Sequence, residues 1–271
     1  MEYVEFLRVR RAFTIFALIV VALALIVIAS TAYSSMGKGH VLVEFGDTPN
    51  AKGHDLATYF KTHTIPLGLL LGLAGYIAIV FASVLASSLN KERDGLDYVF
   101  VKPIRREEMA LRYIATDIVG IVAIFASSVV IELATLAVMH VFDRIVIDSR
   151  AFWVGGLGLG VACMWYGILQ AVTATYRGKG STIVGISWGI FGLLVGIGSI
   201  TALGPVFSNI VQTLNLINPI AYLSRIVSGG GGTSDVDAVF GLSLEARVCF
   251  VWAIAWAGMA IAAFSWRGVE A

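Results

Sequence analysis

Six stretches of this chain, residues 12–33, 65–89, 113–142, 152–176, 182–203 and 248–266, are apolar, nearly free of charge, and each about as long as a bilayer is thick. About 20 apolar residues cross the hydrocarbon as a helix, which satisfies its own backbone hydrogen bonds where no water can. No soluble fold accommodates six such runs. The composition agrees, with 58% hydrophobic residues, only 14% charged and a mean hydropathy of +0.86, against about 25% charged in soluble domains. Cys163 and Cys249 both lie in apolar segments, so they are expected to pack and not to form a disulfide or hold a metal. The first run follows Arg8, Arg10 and Arg11 but is too long for a signal-peptide core, so it is expected to stay as a membrane anchor.

Six crossings put both ends of the chain on one side. The segments on that side hold 12 Lys and Arg residues against 7 in the other loops, which predicts cytoplasmic termini by the positive-inside rule. Residues 1–11, with Tyr3, Phe6 and Leu7 among basic residues, are either a helix lying in the interface or a frayed tail. The outer loops are 34–64, 143–151 and 204–247. The first carries a strand-like Val41-Leu42-Val43, a short helix candidate over 55–60, and three of the four histidines, His40, His54 and His63, at spacings that define no metal site. In the last, Gly204-Pro205 breaks an apolar run too long for one helix. Residues 206–227 are therefore expected to dip into the outer leaflet and return, with Asn218-Pro219 in the returning part. The glycine run 229–232 is a flexible connector.

Between the second and third runs lies the most strongly charged stretch, 90–112, NKERDGLDYVFVKPIRREEMALR, with six Lys and Arg residues. Leu96, Val99 and Phe100 fall at i, i+3 and i+4, one face of a short helix, and Lys91, Arg93, Asp94 and Asp97 take the other positions. Gly95 relaxes the backbone before it, and Pro103 ends it. Such a helix can lie on lipid or dock its apolar face into a groove on a partner.

The order of residues in this loop, Glu92, Gly95, Leu96, Asp97, the apolar run Val99 to Val101, Pro103, Ile104 and Arg105, resembles the signature loop of ABC-2 type transporter permeases. Asn218-Pro219 before the last span and Phe264-Ser265-Trp266-Arg267 after it add to the likeness. The resemblance implies an all-α membrane protein of six transmembrane helices, with a cytoplasmic coupling helix and a re-entrant outer segment before the last helix. It implies that the loop is gripped by separate ABC ATPase subunits, that ATP and Mg are bound there and not by this chain, and that a second permease copy or homologue completes the pathway. It further implies an exporter in the cell membrane that is itself not an enzyme. No nucleic-acid partner is expected.

Three further features touch on chemistry. Gly185-Ile186-Ser187-Trp188-Gly189 matches the nucleophile pattern G-x-S-x-G, which needs a strand, a turn and a histidine. Inside an apolar run its glycines, like Gly68/Gly72, Gly156/Gly160 and Gly192/Gly196, are expected to serve close helix packing. Arg177-Gly178-Lys179-Gly180-Ser181-Thr182 lacks the spacing of a phosphate loop, since Thr173 stands where a glycine is needed. Glu132 lies inside the third span, where an ionised carboxylate costs about 2.5 to 3.5 kcal/mol; it is a pathway or gating candidate or a structural acid between helices. Asp117, nearer the cytoplasmic end, is expected to pair with a loop residue such as Arg112 or to be hydrated. The reading is thus a permease subunit, with a proton-coupled carrier using Glu132, or an intramembrane hydrolase using Ser187, as the alternatives.

Overall fold

The computed structural model describes residues 2–35, 42–43, 54–55, 64–93, 106–173, 180–198, 210–211, 214, 217–221 and 243–265. These are mostly helical. The helices are α1 (Glu2–Ser35), α2 (Leu67–Arg93), α3 (Arg106–Val138), α4 (Ser149–Thr173), α5 (Gly180–Gly198) and α6 (Leu244–Ser265). Five of them, all but α5, are long and apolar enough to cross a membrane. The 34 residues of α1 make a rod of about 51 Å, longer than a hydrocarbon core. It runs unbroken through residues 2–11, so the frayed-tail reading fails for them. Val9 is buried in the main core, which takes this part of α1 off the lipid surface.

The bundle is organised around α4, whose residues Val161–Gly167 are buried on every side, the mark of a central helix. Its neighbours approach through glycine. A Cβ on Gly75 of α2 would sit 2.8 Å from the Gly158 backbone of α4, and one on Gly258 of α6 would sit 2.8 Å from that of Gly167. Backbone contact of this kind supplies the dispersion that replaces hydrophobic drive in lipid. The pairs run in register: Gly68 meets Val154 and Gly75 meets Gly158, while Val248 meets Gly156 and Gly258 meets Gly167. Hence α2, α4 and α6 are parallel. On the other side of α2 lies α3, which carries α1 against it, with Phe16 edge-on to Phe81 of α2.

The glycines of α5 behave otherwise. Gly185, Gly189 and Gly196 have no neighbouring group within 4 Å of a Cβ position, and Gly192 meets only Ile220 at 3.7 Å. Among the described residues their expected packing role inside this chain is corrected: the close-packing glycines are those of α2, α3, α4 and α6.

Two short strand pairings lie outside the helices. Ile65–Pro66 (β3) runs parallel to Ile145–Val146 (β4), and Leu42–Val43 (β1) pairs antiparallel with His54–Asp55 (β2). The strand expected at 41–43 is present over its last two residues; position 55, expected to start a helix, is in a strand, and 56–60 lie outside the described residues. The third run ends earlier than expected. Met139 and His140 turn away from the helix, His140 with φ of 57°, and the His140 and Val141 amides donate to Ala137 and Leu136 carbonyls. This is a Schellman stop, and Leu136 and Val141 close it with Ile65 and Leu70 in a small apolar cluster. Asp148 accepts from the Arg150 amide at the start of α4, and Ser243 from the Ala246 amide at the start of α6, satisfying donors that helix starts leave open.

Candidate functional site: a buried polar clasp and the ends of the charged loop

The charged loop joins the end of α2 to the start of α3. Glu92 is in the last turn of α2, whereas Gly95, Leu96, Asp97, Val99, Phe100, Pro103 and Arg105 lie outside the described residues, as do Gly204 and Pro205. Just beyond the loop, Arg112 holds Glu108 at 2.9 Å, both exposed, at i, i+4. Asp117, expected to pair with a loop residue such as Arg112 or to be hydrated, is ion-paired with Arg8 of α1.

Asp117 sits at the meeting of three helices, fully buried. The Arg8 guanidinium of α1 donates to its Oδ1, and the Tyr166 hydroxyl of α4 donates to Oδ2 at 2.6 Å. Arg8 also lies 5.5 Å from the ring centre of Tyr113, one turn before Asp117, a cation–π distance. The approach depends on Gly120: a Cβ there would lie 2.6 Å from Val9, so glycine lets α1 come near enough for the neighbouring Arg8 to reach the carboxylate. Charges this deep persist only when paired and hydrogen-bonded, and each carboxylate oxygen here has a donor. One turn beyond Tyr166 on α4, Gln170 is also fully buried, and its Nε2 has no hydrogen-bond partner.

A second node joins α2, α4 and α5. The Ser83 hydroxyl accepts from the Trp165 indole at 2.8 Å and from the Trp188 indole at 3.1 Å, and donates to the Ile79 carbonyl at 3.1 Å. A hydroxyl has one donor and two acceptor positions; all are used. Trp165 meets Trp188 and Phe191 edge-to-face at 5.6 and 5.2 Å. Asn218 makes a third node, donating to the Phe191 carbonyl of α5 and accepting from the Ile220 amide, so that it anchors the short turn at Pro219 to α5.

Glu132 stands apart, 15 residues along α3 from Asp117, or about 22 Å. Its Oε2 is buried with no hydrogen-bond partner. Between the two acids, Ile121 and Ile124 are fully buried and the Ser128 hydroxyl turns back to the Ile124 carbonyl. Ser187 lies in the middle of the continuous helix α5, without the strand and sharp turn that expose a nucleophile.

Arg8, Tyr166, Ser83 and Gln170 escape sequence reading as site residues. Arg8 looks like one of three flanking basic residues, and Tyr166 and Ser83 look like ordinary members of apolar runs. The available signal is Asp117 itself, a carboxylate inside an apolar run that needs a partner from another helix.

Fold and site define a polytopic helical membrane protein whose central spans are joined by buried polar contacts. No protein-family model, curated protein or solved structure matches the chain.

Proposed function

We propose that the chain is the membrane-spanning permease subunit of an ATP-driven ABC transporter of the ABC-2 type, an exporter in the cell membrane with both termini cytoplasmic. In this reading α5 is a further crossing, six in all, and the segment from Gly204-Pro205 to Asn218-Pro219 re-enters the outer leaflet. The residue order of the loop, from Glu92 through Gly95, Leu96 and Asp97 to Pro103 and Arg105, carries the proposal. Two features support it. The loop joins the ends of two long helices, and the second of these, α3, is bonded to α4 at the heart of the bundle through Asp117 and Tyr166, so a pull on the loop has a rigid route inward. The apolar face of Leu96, Val99 and Phe100 is the handle for an ATPase subunit, which binds ATP and Mg; a second permease copy or homologue completes the pathway. The docked helix takes two positions, each favoured by a different nucleotide state. Replacing Leu96 and Phe100 together by Asp should abolish co-purification with the ATPase subunit and stimulation of its ATPase activity. Full ATPase association in that double variant overturns the proposal.

A second reading, a proton-coupled carrier, draws on the buried Glu132 oxygen without a hydrogen-bond partner. It predicts transport in a proton gradient without ATP, lost in Glu132→Gln. The apolar interval at Ile121 and Ile124 weighs against a proton route from Glu132 along α3 to the Asp117 end.

A further inference from the structure

Asp117 has one set of partners, and α4 offers another. Tyr166 and Gln170 are i, i+4 on α4, so their side chains lie on one face, one above the other, about 6 Å apart along the axis. Both are fully buried. The first donates its hydroxyl to Asp117, while the Gln170 amide nitrogen, which faces the Tyr166 hydroxyl, makes no hydrogen bond of normal geometry. Leaving such a donor unmade is costly, and a purely structural cluster gains nothing from it. Leu136 clusters with Leu70 while Gly120 meets Phe81 and Leu85, so α3 runs opposite to α2 and hence to α4, and Gln170 lies beyond Tyr166 toward the beginning of α3, the end at which the charged loop is attached.

We propose that Asp117 has two seats on α4, the Tyr166 hydroxyl and the Gln170 amide, and that α3 moves between them by sliding up to one helical turn along α4 toward the charged loop. Seat exchange breaks one hydrogen bond to the carboxylate and makes another, so the two positions are close in free energy and separated by a repacking step. One-turn shifts of packed elements are a known form of bistability. Arg8 follows the carboxylate: its guanidinium has five donors on a long stem, so the ion pair holds α1 to α3 in both positions. The inference rests on the permease reading only for what drives the slide, a pull on the loop by the ATPase; the two seats themselves belong to this chain.

The test uses the isolated chain in lipid nanodiscs. Val130 on α3 and Val172 on α4 are both exposed and lie on opposite sides of the Asp117–Tyr166 contact along the axis, so a slide changes their separation; each is replaced by Cys and spin-labelled in a Cys249→Ser background, Cys163 being buried. Pulsed electron-electron resonance should give two distances differing by several Å, up to about 5 Å. Tyr166→Phe removes the donor of the first seat and should enrich the second distance several-fold; Gln170→Leu removes the second seat and should abolish that distance. One distance in all three proteins, or a second distance that survives Gln170→Leu, overturns the proposal. If Tyr166→Phe does not fold, the unsubstituted protein decides: a single distance there overturns the two seats, and a second one lost in Gln170→Leu supports them. No ATPase is present, so this result and the co-purification result with Leu96 and Phe100 replaced fail independently.

Discussion

At the scale of single residues, the energetics of this protein are set by polar groups that the bilayer forces into partnership. Asp117 is the sharpest case. Removing Arg8 leaves a carboxylate buried beside Tyr166 with no counter-charge, and breaking a buried ion pair costs about 3 to 5 kcal/mol. Arg8→Ala should therefore destabilise strongly, whereas Arg8→Met with Asp117→Leu, which removes both charges and keeps the volume, should recover most of the loss. Unfolding of the purified protein in mixed micelles measures both, and equal losses in the single and double variants would exclude the pairing. Ser83 permits a similar test with its own reporter. Its hydroxyl is the acceptor for two indoles, and Ser83→Ala strands both donors at about 1 to 3 kcal/mol each. A drop in stability together with a shift in tryptophan emission is expected. In the sequence Asp117 reads as paired with a loop residue such as Arg112 or as hydrated, and its partner Arg8 is not legible, because it is 109 positions away and its neighbours Arg10 and Arg11 look equally available.

At the scale of elements, two kinds of glycine separate. Gly167 and Gly258 bring the backbones of α4 and α6 together, so Gly167→Leu or Gly258→Leu must push the helices apart, costing about 1 to 3 kcal/mol or more. Gly185→Ala and Gly189→Ala meet open space on α5, and alanine is the better helix former by about 1 kcal/mol. They should be neutral or stabilising for the isolated chain, so melting curves of the four variants should split into two groups. The same i, i+4 spacing marks both kinds in the sequence. Spacing places two glycines on one face of a helix but cannot say whether another helix comes to that face. The end of α3 makes a related point. His140 occupies the left-handed position that glycine normally takes, so no glycine signals the stop, and the apolar run reads on to 142. His140→Val should cost about 1 to 2 kcal/mol because a β-branched residue is strained there, while His140→Gly should be tolerated.

For the whole molecule, the parallel run of α2, α4 and α6 follows from the glycine registers, and the opposite sense of α3 from two contacts with α2, Leu136 with Leu70 and Gly120 with Phe81 and Leu85. An alternating bundle of this kind places the end of α2, the start of α3 and the start of α1, and with them the attachment points of the charged loop, at one end. With the positive-inside distribution, that end should face the cytoplasm. Single cysteines introduced at positions 98 and 50 in a protein otherwise free of accessible cysteine should then respond oppositely to a membrane-impermeant maleimide applied to intact cells: position 50 labelled, position 98 labelled only after permeabilisation. The reverse pattern would remove the loop from the reach of a cytoplasmic ATPase.

The sequence by itself determined that this is a helical membrane protein and where most of its long helices run. Those properties follow from the cost of exposing charges and backbone groups to hydrocarbon, which acts on each segment separately. Only the tertiary structure decided that α4 is the centre, that Arg8 and Tyr166 answer Asp117, and that the α5 glycines pack against little. Each of these depends on which helix faces come together, and in a bilayer nearly every face is apolar, so hydrophobicity no longer distinguishes an inward face from an outward one.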